Sequence, residues 1–388
     1  MSLFQKIKII IAYIPLKIRY WYLAKKWYLQ QNQSKLERWL KILVGGIPRL
    51  PQINVSYGHE YIPRLGEVAS GGIVKFQRMQ EDFPNAPRCF NILYMVSSAR
   101  PQDSEQLLWL ARRKGAKFLW NQNGVAYPAW HGEDWEKTNE PLAKMLHEAD
   151  HVFYQSQFCK LSSDRFLGER KNNWEILYNC VDTTQFTPAT SNLDRNHLIL
   201  LLGGSQYQYY RLETALKTLA ILACDRDDVD LWITGRLSWL PDETETHQIA
   251  KNLVEKLGIS DRVNFLGKYS QNEAPKLFQN AHILLHTKYN DPCPGLVVEA
   301  MACGLPIVYS QSGGVPELVG EEAGIGIPTE LSWEKDLPPD PKALADAILQ
   351  VSDGYKQYSE AARNRAVEKF DLRPWLQRHR EIFEELLS

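Results

Sequence analysis

The alternation of short apolar runs with segments of helical period constrains this chain's fold more than any other feature. Eight runs have the length and composition of buried strands: residues 92–96, 117–120, 151–155, 175–178, 197–202, 231–234, 263–265 and 282–286. Segments with helical period lie between them: residues 104–114, 212–224, 247–257 and 272–279. Such alternation predicts parallel sheets. Because the strands are too many for one small sheet, we expect an α/β protein with two parallel-sheet domains.

The boundary between the two domains is predicted at residues 187–196, a polar stretch that contains Pro188 and precedes a new strand. We therefore expect four parts. An amino-terminal arm covers residues 1–50, a first domain covers 51–190, and a second domain covers 191–365. A carboxyl-terminal helix covers 366–388, after a loop at 328–341.

Charge and cysteine content exclude several classes of protein. The formal net charge of −1 over 388 residues offers no overall electrostatic footprint for nucleic acid. The six cysteines contain no Cys-x-x-Cys pair, so they predict neither a disulfide framework nor a zinc site. They indicate a reduced compartment.

The amino-terminal arm differs from the rest in charge, since it has ten Lys or Arg residues and one acidic residue, Glu37. Its apolar run at 9–16 is too short to span a bilayer, and no signal-peptide cleavage site follows. Its aromatic residues suit a lipid headgroup region and its lysines suit anionic lipid; the aromatic residues are Trp21, Tyr22, Trp27 and Tyr28. We predict docking on an anionic membrane surface. The alternative is a basic helix packed on its own domain or on a partner.

The segment from 291 to 304 is the most informative part of the chain. It reads Asp-Pro-Cys-Pro-Gly-Leu-Val-Val-Glu-Ala-Met-Ala-Cys-Gly and follows the strand predicted at 282–286. Pro294 suits the first turn of a helix and Gly304 suits its end, which predicts a helix of about nine residues. In an open parallel sheet, such helix starts face the ligand crevice. The free amides would bind an anion such as a diphosphate; they belong to Gly295, Leu296 and Val297.

Two carboxylates belong to this segment. The predicted helix is apolar on every side and therefore buried, which makes Glu299 a lone buried carboxylate that needs a partner. Helical side chains lean toward the helix start, so we expect Glu299 and Asp291 to converge and to accept hydrogen bonds from vicinal hydroxyls. The alternatives are a plain acid at a helix start for Asp291 and a buried salt bridge for Glu299.

This segment resembles the Glu-x7-Glu signature of retaining family-4 glycosyltransferases of the GT-B fold, with Asp291 in the place of the first Glu. The continuations at 300–308 and 313–317 match the family as well. The resemblance implies two Rossmann-like domains facing across a cleft. It implies transfer of a sugar from a nucleoside diphosphate sugar to an acceptor hydroxyl, with retention. In the family the first carboxylate contacts the transferred sugar, and the second, here Glu299, holds the ribose.

The resemblance extends to the loop Gly203-Gly204-Ser205, which stands where the family has a phosphate-binding loop. Ser205 replaces the family's Arg, and Arg211 takes the place of its Lys. Arg211 is thereby implied to neutralise the departing diphosphate, which develops negative charge. The alternative for Arg211 is a solvated arginine at a helix start. Arg236 is a candidate for the missing second cation.

Three further candidates come from the resemblance. Gly71 and Gly72 match the glycine loop that approaches the donor phosphates and the acceptor, and Lys268 follows the strand that meets the base. Asn123 stands near the place of a cleft histidine found in many members; it can orient hydroxyls but cannot act as a base. The nearest histidine, His131, is interpreted as a surface residue. A front-face reaction, in which the departing phosphate takes the acceptor proton, tolerates this loss.

We expect no metal and no cofactor other than the donor, because no Asp-x-Asp follows a strand and the helix amides and Arg211 supply positive character. The acceptor would be lipid-linked or a polysaccharide, met at the cytoplasmic face of a membrane. Two alternatives remain open. One is another GT-B enzyme, such as a phosphorylase or an epimerase; the other is a donor-binding scaffold that has lost turnover. A dinucleotide dehydrogenase is disfavoured, since no Gly-x-Gly-x-x-Gly opens a helix after a strand.

Overall fold

The computed structural model describes residues 35, 37–44, 52–67, 69, 71–190 and 197–388. Most of the amino-terminal arm, including its four aromatic residues at 21, 22, 27 and 28, lies outside the described residues. In the part of the chain that the structure describes, no helix has the length and apolar character needed to cross a bilayer.

The first domain is built on a five-stranded parallel sheet in the order β1-β2-β3-β4-β5. Its strands are β1 (Val55–Ser56), β2 (Ile92–Val96), β3 (Lys117–Gln122), β4 (His151–Tyr154) and β5 (Trp174–Ile176). Its helices are α1 (residues 37–44), α2 (Gly72–Met79), α3 (Ser104–Arg113), α4 (Pro128–His131), α5 (Trp135–Glu148) and α6 (Gln157–Phe166). The near-continuous apolar runs of β2 to β4 are typical of strands covered on both faces.

The second domain is a six-stranded parallel sheet in the order β8-β7-β6-β9-β10-β11. Its strands are β6 (Leu198–Leu202), β7 (Val229–Thr234), β8 (Val263–Gly267), β9 (Ile283–His286), β10 (Ile307–Gln311) and β11 (Gly324–Pro328). Its helices are α7 (Tyr209–Leu222), α8 (Glu243–Lys256), α9 (Ala274–Gln279), α10 (Gly295–Ala302), α11 (Val315–Val319) and α12 (Pro341–Asp353). The strand order reverses between β6 and β9, so the loops after these two strands flank the ligand crevice.

Two long helices end the chain, α13 (Tyr355–Phe370) and α14 (Leu372–Leu387). Helix α13 contributes Ala362, Ala366 and Phe370 to the core around α10. The chain then returns to the first domain, where the Leu372 amide donates to the Val181 carbonyl at 2.9 Å. Helix α14 buries its apolar face in the core of the first domain; its core residues are Trp375, Leu376, Ile382 and Phe383. The last helix therefore fastens both domains together.

The prediction of an α/β fold with two parallel-sheet domains is confirmed. All eight predicted strands are present, with ends that differ by at most two residues. Strands β1, β10 and β11 were not predicted. Strand β1 has only two residues, and two glycines interrupt the apolar pattern of β11.

The described end of the arm, helix α1, packs on the first domain. Ile42 is buried in the core beside α3, and its carbonyl accepts from Lys114 Nζ at 3.1 Å. The indole of Trp39 donates to Asp103 at 3.0 Å. Residues 37–44 therefore agree with the alternative stated for the arm, a basic helix packed on its own domain.

Candidate functional site

Helix α10 lies at the centre of the site and begins at Gly295, after Pro294 in the N-cap position. The sequence predicted Pro294 in the first turn of this helix; it lies one residue earlier, at the N-cap. Gly304 has a φ of 78°, and the Leu305 amide donates to the Ala300 carbonyl at 3.0 Å. This is a Schellman ending, in which a left-handed glycine closes the helix. The helix is buried from Val297 to Ala302, as predicted.

Two of the three predicted anion-binding amides are available. The amides of Gly295 and Leu296 form no hydrogen bond within the described chain. The Val297 amide donates to the Pro294 carbonyl at 3.2 Å, so the prediction that it is free was wrong. The helix start therefore offers two amides and the positive end of the helix dipole to an anion.

The loop after β6 lies directly against this helix start. A Cβ atom on Gly203 would stand 2.8 Å from the Leu296 side chain, so a larger residue fits there only if that side chain moves. Gly204 has a φ of 78°, which also favours glycine. Its carbonyl accepts from the Gln206 side chain at 2.8 Å. The predicted phosphate loop and the predicted anion-binding helix are thus neighbours.

Arg211 lies in the first turn of α7 and is 5 % exposed, so the alternative of a solvated arginine is wrong. Its Nη1 donates to the Ser205 carbonyl at 2.7 Å, whereas its buried Nε has no partner among the described residues. No described carboxylate lies within 4.0 Å of its guanidinium nitrogens. Burial lowers the pKa of Arg211, and Asp291 opposes that effect. A buried guanidinium without an ion pair is suited to an anionic ligand. Arg236 is exposed.

Two side chains at the carboxyl end of β9, those of His286 and Lys288, contact Asp291. Its Oδ2 lies 3.3 Å from His286 Nε2 and 3.2 Å from Lys288 Nζ. Burial acts to raise the pKa of Asp291, but Lys288, His286 and Arg211 together hold it well below its usual range. Helix α10 has no side-chain cap and begins four residues later, so Asp291 is not a capping acid.

His286 and Lys288 were not singled out in the sequence. Burial lowers the pKa of His286, which leaves the ring neutral and able to donate to Asp291. The Lys288 ammonium also lies 5.0 Å from the ring centre of Trp130, in the first domain. Their position at the end of a predicted strand beside the switch point was the signal that could have identified them.

Glu299 has a buried ion pair, which is the alternative stated for it above. Its Oε1 accepts from Arg78 Nη2 at 2.7 Å and from Gln271 Nε2 at 3.4 Å. Burial raises the pKa of Glu299, and Arg78 opposes that rise. Arg78 lies on α2, so this pair joins the two domains. Asp291 and Glu299 have separate partners, and their convergence on one ligand stays a prediction.

Asn123 faces the crevice from the first domain. Its side-chain Nδ2 donates to Ser98 Oγ at 2.7 Å and its Oδ1 accepts from Gln155, while its backbone N–H donates to Ser97 Oγ at 2.9 Å. It borders a cavity of about 280 Å³ between the two domains. The apolar wall comes from the first domain and includes Val125, Tyr127, Trp130, Leu142 and Phe158. The opposite wall comes from the second domain, through Lys288, Asn290 and Pro292.

Of the remaining candidates, the glycine loop is packed in the first domain, whereas His131 and Lys268 are exposed. Gly71 has a φ of 54° and caps α2, and a Cβ on Gly72 would meet Val96 at 2.7 Å. The glycine loop therefore packs tightly over the end of β2. His131 is exposed but borders the cavity and contacts Thr138 at 2.8 Å. Lys268 is exposed beyond β8, at the edge of the sheet.

The two domains meet directly over the loop at 291–294. Ser156 Oγ donates to the Pro292 carbonyl at 2.7 Å, and Asn179 Nδ2 donates to the Cys293 carbonyl at 2.5 Å. The first domain thus fixes the backbone that leads from Asp291 to helix α10. Among the described residues, no group of three or more His, Cys, Asp or Glu side chains is placed to hold a metal ion.

Comparison with known proteins gives a family match and a fold match. Residues 184–367 match the sequence model of the family described as glycosyl transferases group 1. The gpi3 subunit of phosphatidylinositol N-acetylglucosaminyltransferase from Schizosaccharomyces pombe is 20 % identical over 254 residues. That alignment covers 65 % of this chain and 52 % of the relative, so the chain spans about half the relative's length.

Two solved structures share the fold over most of the chain. A sucrose-phosphate synthase from Thermosynechococcus elongatus superposes with a TM-score of 0.69 and 17 % identity, covering 88 % of this chain and 99 % of that one. Anabaena HepE in complex with UDP superposes with a TM-score of 0.61 and 17 % identity, covering 80 % and 81 % of the two chains. These similarities establish the architecture of two facing domains.

Proposed function

From the premise that this chain belongs to the glycosyl transferases group 1 and has the GT-B fold, we propose that it is a retaining glycosyltransferase. It moves a sugar from a nucleoside diphosphate sugar to an acceptor hydroxyl. The donor binds at the crevice between β6 and β9, and the acceptor binds against the first domain.

One observation supports this proposal above the others: Arg211 is buried without a carboxylate partner, directly after the loop whose Gly203 packs against the start of helix α10. Burying an unpaired cation is costly unless a ligand supplies the opposite charge. A diphosphate carries that charge, and its charge grows as the sugar departs. Interactions with developing charge lower the barrier to transfer. Arg211 and the helix start are therefore assigned to the diphosphate.

Asp291 is assigned to the transferred sugar. Its low pKa keeps it ionised, so it can stabilise positive charge at the anomeric carbon in an oxocarbenium-like transition state. His286 and Lys288 hold it in place. The bond from the anomeric carbon to the diphosphate oxygen breaks, and a bond to the acceptor oxygen forms on the same face. The acceptor proton passes to the departing phosphate, and Asn123 orients the acceptor hydroxyl.

The cavity between the domains is assigned to the acceptor. It joins an apolar wall with Trp130 and Leu142 to a polar end at Asn123, which suits a hydroxyl carried on a partly apolar body. Lipid-linked acceptors and sugar rings of a polysaccharide both have this character. A product analysis of the anomeric configuration tests the retaining course: an inverted linkage would contradict it.

We place the protein at the cytoplasmic face of a membrane, bound through its arm. Leu40, Leu43 and Val44 are exposed on helix α1 beside Lys41, a combination suited to an anionic lipid surface. Because α1 packs on the first domain, the sharpest test deletes only residues 1–34. The truncated protein should keep its fold and sediment with anionic vesicles more weakly than the full chain, since only the exposed residues of α1 remain to bind lipid. Unchanged sedimentation would contradict the membrane proposal.

The function is tested by screening nucleotide sugars for thermal stabilisation and then for turnover. A bound donor raises the melting temperature of the native protein, and the stabilising donor should release its nucleoside diphosphate. Glu299→Ala should abolish both effects. Because Arg211 and the helix start supply the positive charge, chelation with EDTA should leave turnover unchanged. Stabilisation without turnover by any donor would favour a donor-binding scaffold instead.

A further inference from the structure

Arg78 and Glu299 form an ion pair that joins the two domains across 221 positions of sequence. Their side chains are 10 % and 6 % exposed, and the Nη2–Oε1 distance is 2.7 Å. The same guanidinium donates to the Cys180 carbonyl through Nη1. Arg78 is thereby held in one orientation, with one nitrogen turned to each domain.

The pair leaves half of the Glu299 carboxylate open. Both of its contacts, from Arg78 and from Gln271, fall on Oε1. Within the described residues, Oε2 accepts no hydrogen bond and is not enclosed as an unsatisfied atom. A carboxylate fixed through one oxygen presents the other in a defined direction.

The surroundings of Glu299 provide no other compensating cation in the described chain. Its neighbours are Gln271 and Tyr269 from the loop after β8, and Cys303 at the end of its own helix. All three are uncharged at neutral pH. Gln271 is an amide, and burial raises the pKa of Tyr269 and also that of Cys303, the latter to about 12. Loss of Arg78 would therefore leave a buried charge unpaired.

We propose that Arg78 is a positioning residue for the donor, which holds Glu299 through Oε1 so that Oε2 meets the ribose hydroxyls. The inference rests on the proposed role of Glu299 in ribose binding. It follows that nucleotide affinity depends on a side chain of the first domain that does not itself touch the nucleotide. Donor binding and the contact between the domains are consequently coupled.

The test is a titration of the full chain with UDP by calorimetry, using Arg78→Gln, Arg78→Lys, Glu299→Gln and the double variant R78Q/E299Q. R78Q should weaken UDP binding at least tenfold, and R78K should restore part of it because the charge remains. In the E299Q background, R78Q should change the Kd less than about twofold, since the two residues act as one unit.

A matched control separates positioning from general stability. Arg170→Gln removes another arginine, which donates to three backbone carbonyls away from the crevice, those of Leu146, Ala149 and Asn172. It should lower the melting temperature without changing the Kd for UDP. If R78Q unfolds, R78K carries the same comparison.

The pH profile gives a readout that a purely structural role would not change. Without Arg78 the pKa of Glu299 rises further, so UDP binding by R78Q should weaken from pH 8 to pH 6 more steeply than that of the wild type. If R78Q and R78K bind UDP with the wild-type Kd while E299Q binds it more weakly, the positioning role of Arg78 is contradicted and the ribose assignment of Glu299 stands. An unimpaired E299Q overturns the ribose assignment, and the proposed function with it.

Discussion

The carboxylate of Glu317 in the second domain lies 2.7 Å from the backbone nitrogen of Gln157 in the first. Its Oε2, the oxygen nearest to Gln157, also accepts from the Tyr178 hydroxyl at 3.0 Å, and its Oε1 accepts from the Phe158 amide at 2.9 Å. These amides belong to the first turn of α6, where a helix has no acceptors of its own. The second domain therefore completes a helix start in the first, and the negative charge suits the helix dipole.

Removing this contact should loosen the arrangement of the domains. Glu317→Ala is expected to lower stability by about 1 kcal/mol, the usual cost of a lost helix cap, and to increase the radius of gyration. Small-angle scattering and thermal melting measure both effects. Glu321→Ala, an exposed neighbour, is the control and should change neither. An E317A protein with wild-type scattering would show that the contact does not hold the domains.

The backbone at 291–294 should be sensitive to the residue at 314. A Cβ on Gly314 would lie 2.0 Å from the Pro292 carbonyl oxygen, so Gly314→Ala must displace the loop that carries Asp291. We expect a loss of about 1–3 kcal/mol, typical of overpacking, together with loss of donor binding. Gly354→Ala is the control, because it lies between helices α12 and α13 and its added Cβ would come no nearer than 3.1 Å to another atom, at the Tyr358 ring. Wild-type donor binding by G314A would contradict the expected displacement.

His379 should make the fold sensitive to acid. Burial lowers its pKa from 6.5 to about 3, and its ring nitrogens contact Tyr94 and the Trp375 carbonyl. The unfolded chain therefore binds a proton that the folded chain excludes. This contribution to stability is complete above pH 6.5 and declines as the pH falls toward 3. Denaturant melts of wild type and His379→Gln should show a flatter pH dependence for the variant; equal slopes would contradict the assignment.

Asp336 should have the opposite pH dependence. Burial raises its pKa to about 6, although Lys288 and a 2.6 Å hydrogen bond from Gln208 oppose the rise. The folded state keeps the proton to higher pH, so this contribution is present below pH 3.8 and is lost as the pH rises through 6. Asp336→Asn should therefore raise the melting temperature at pH 8 relative to wild type and change it little at pH 4. A destabilised variant at pH 8 would contradict this account.

Local patterns predicted the strands and the buried helix because these depend on residues close in sequence. Helix α10 is an example, since its apolar side chains and Gly304 define it without reference to other elements. The partner of Glu299 could not be predicted in the same way. Arg78 lies 221 residues away, and only the packing of the two domains brings the pair together.

The environment of Asp291 shows a second limit of the sequence. Its acidic side chain was identified from its position before the apolar helix, but its ionisation depends on Lys288, His286 and Arg211. Arg211 acts on it through its charge, from the first turn of helix α7. The availability of individual amides also depends on the turn that forms, as the bonded Val297 amide shows.

The central claim, that Asp291 promotes sugar transfer at this crevice, is tested most directly by turnover of the stabilising nucleotide sugar. Asp291→Asn keeps the size of the side chain and removes its charge. We predict that the release of nucleoside diphosphate by D291N falls at least a hundredfold, while the Kd for that nucleoside diphosphate stays within about threefold of the wild-type value. Wild-type turnover by D291N would contradict the account.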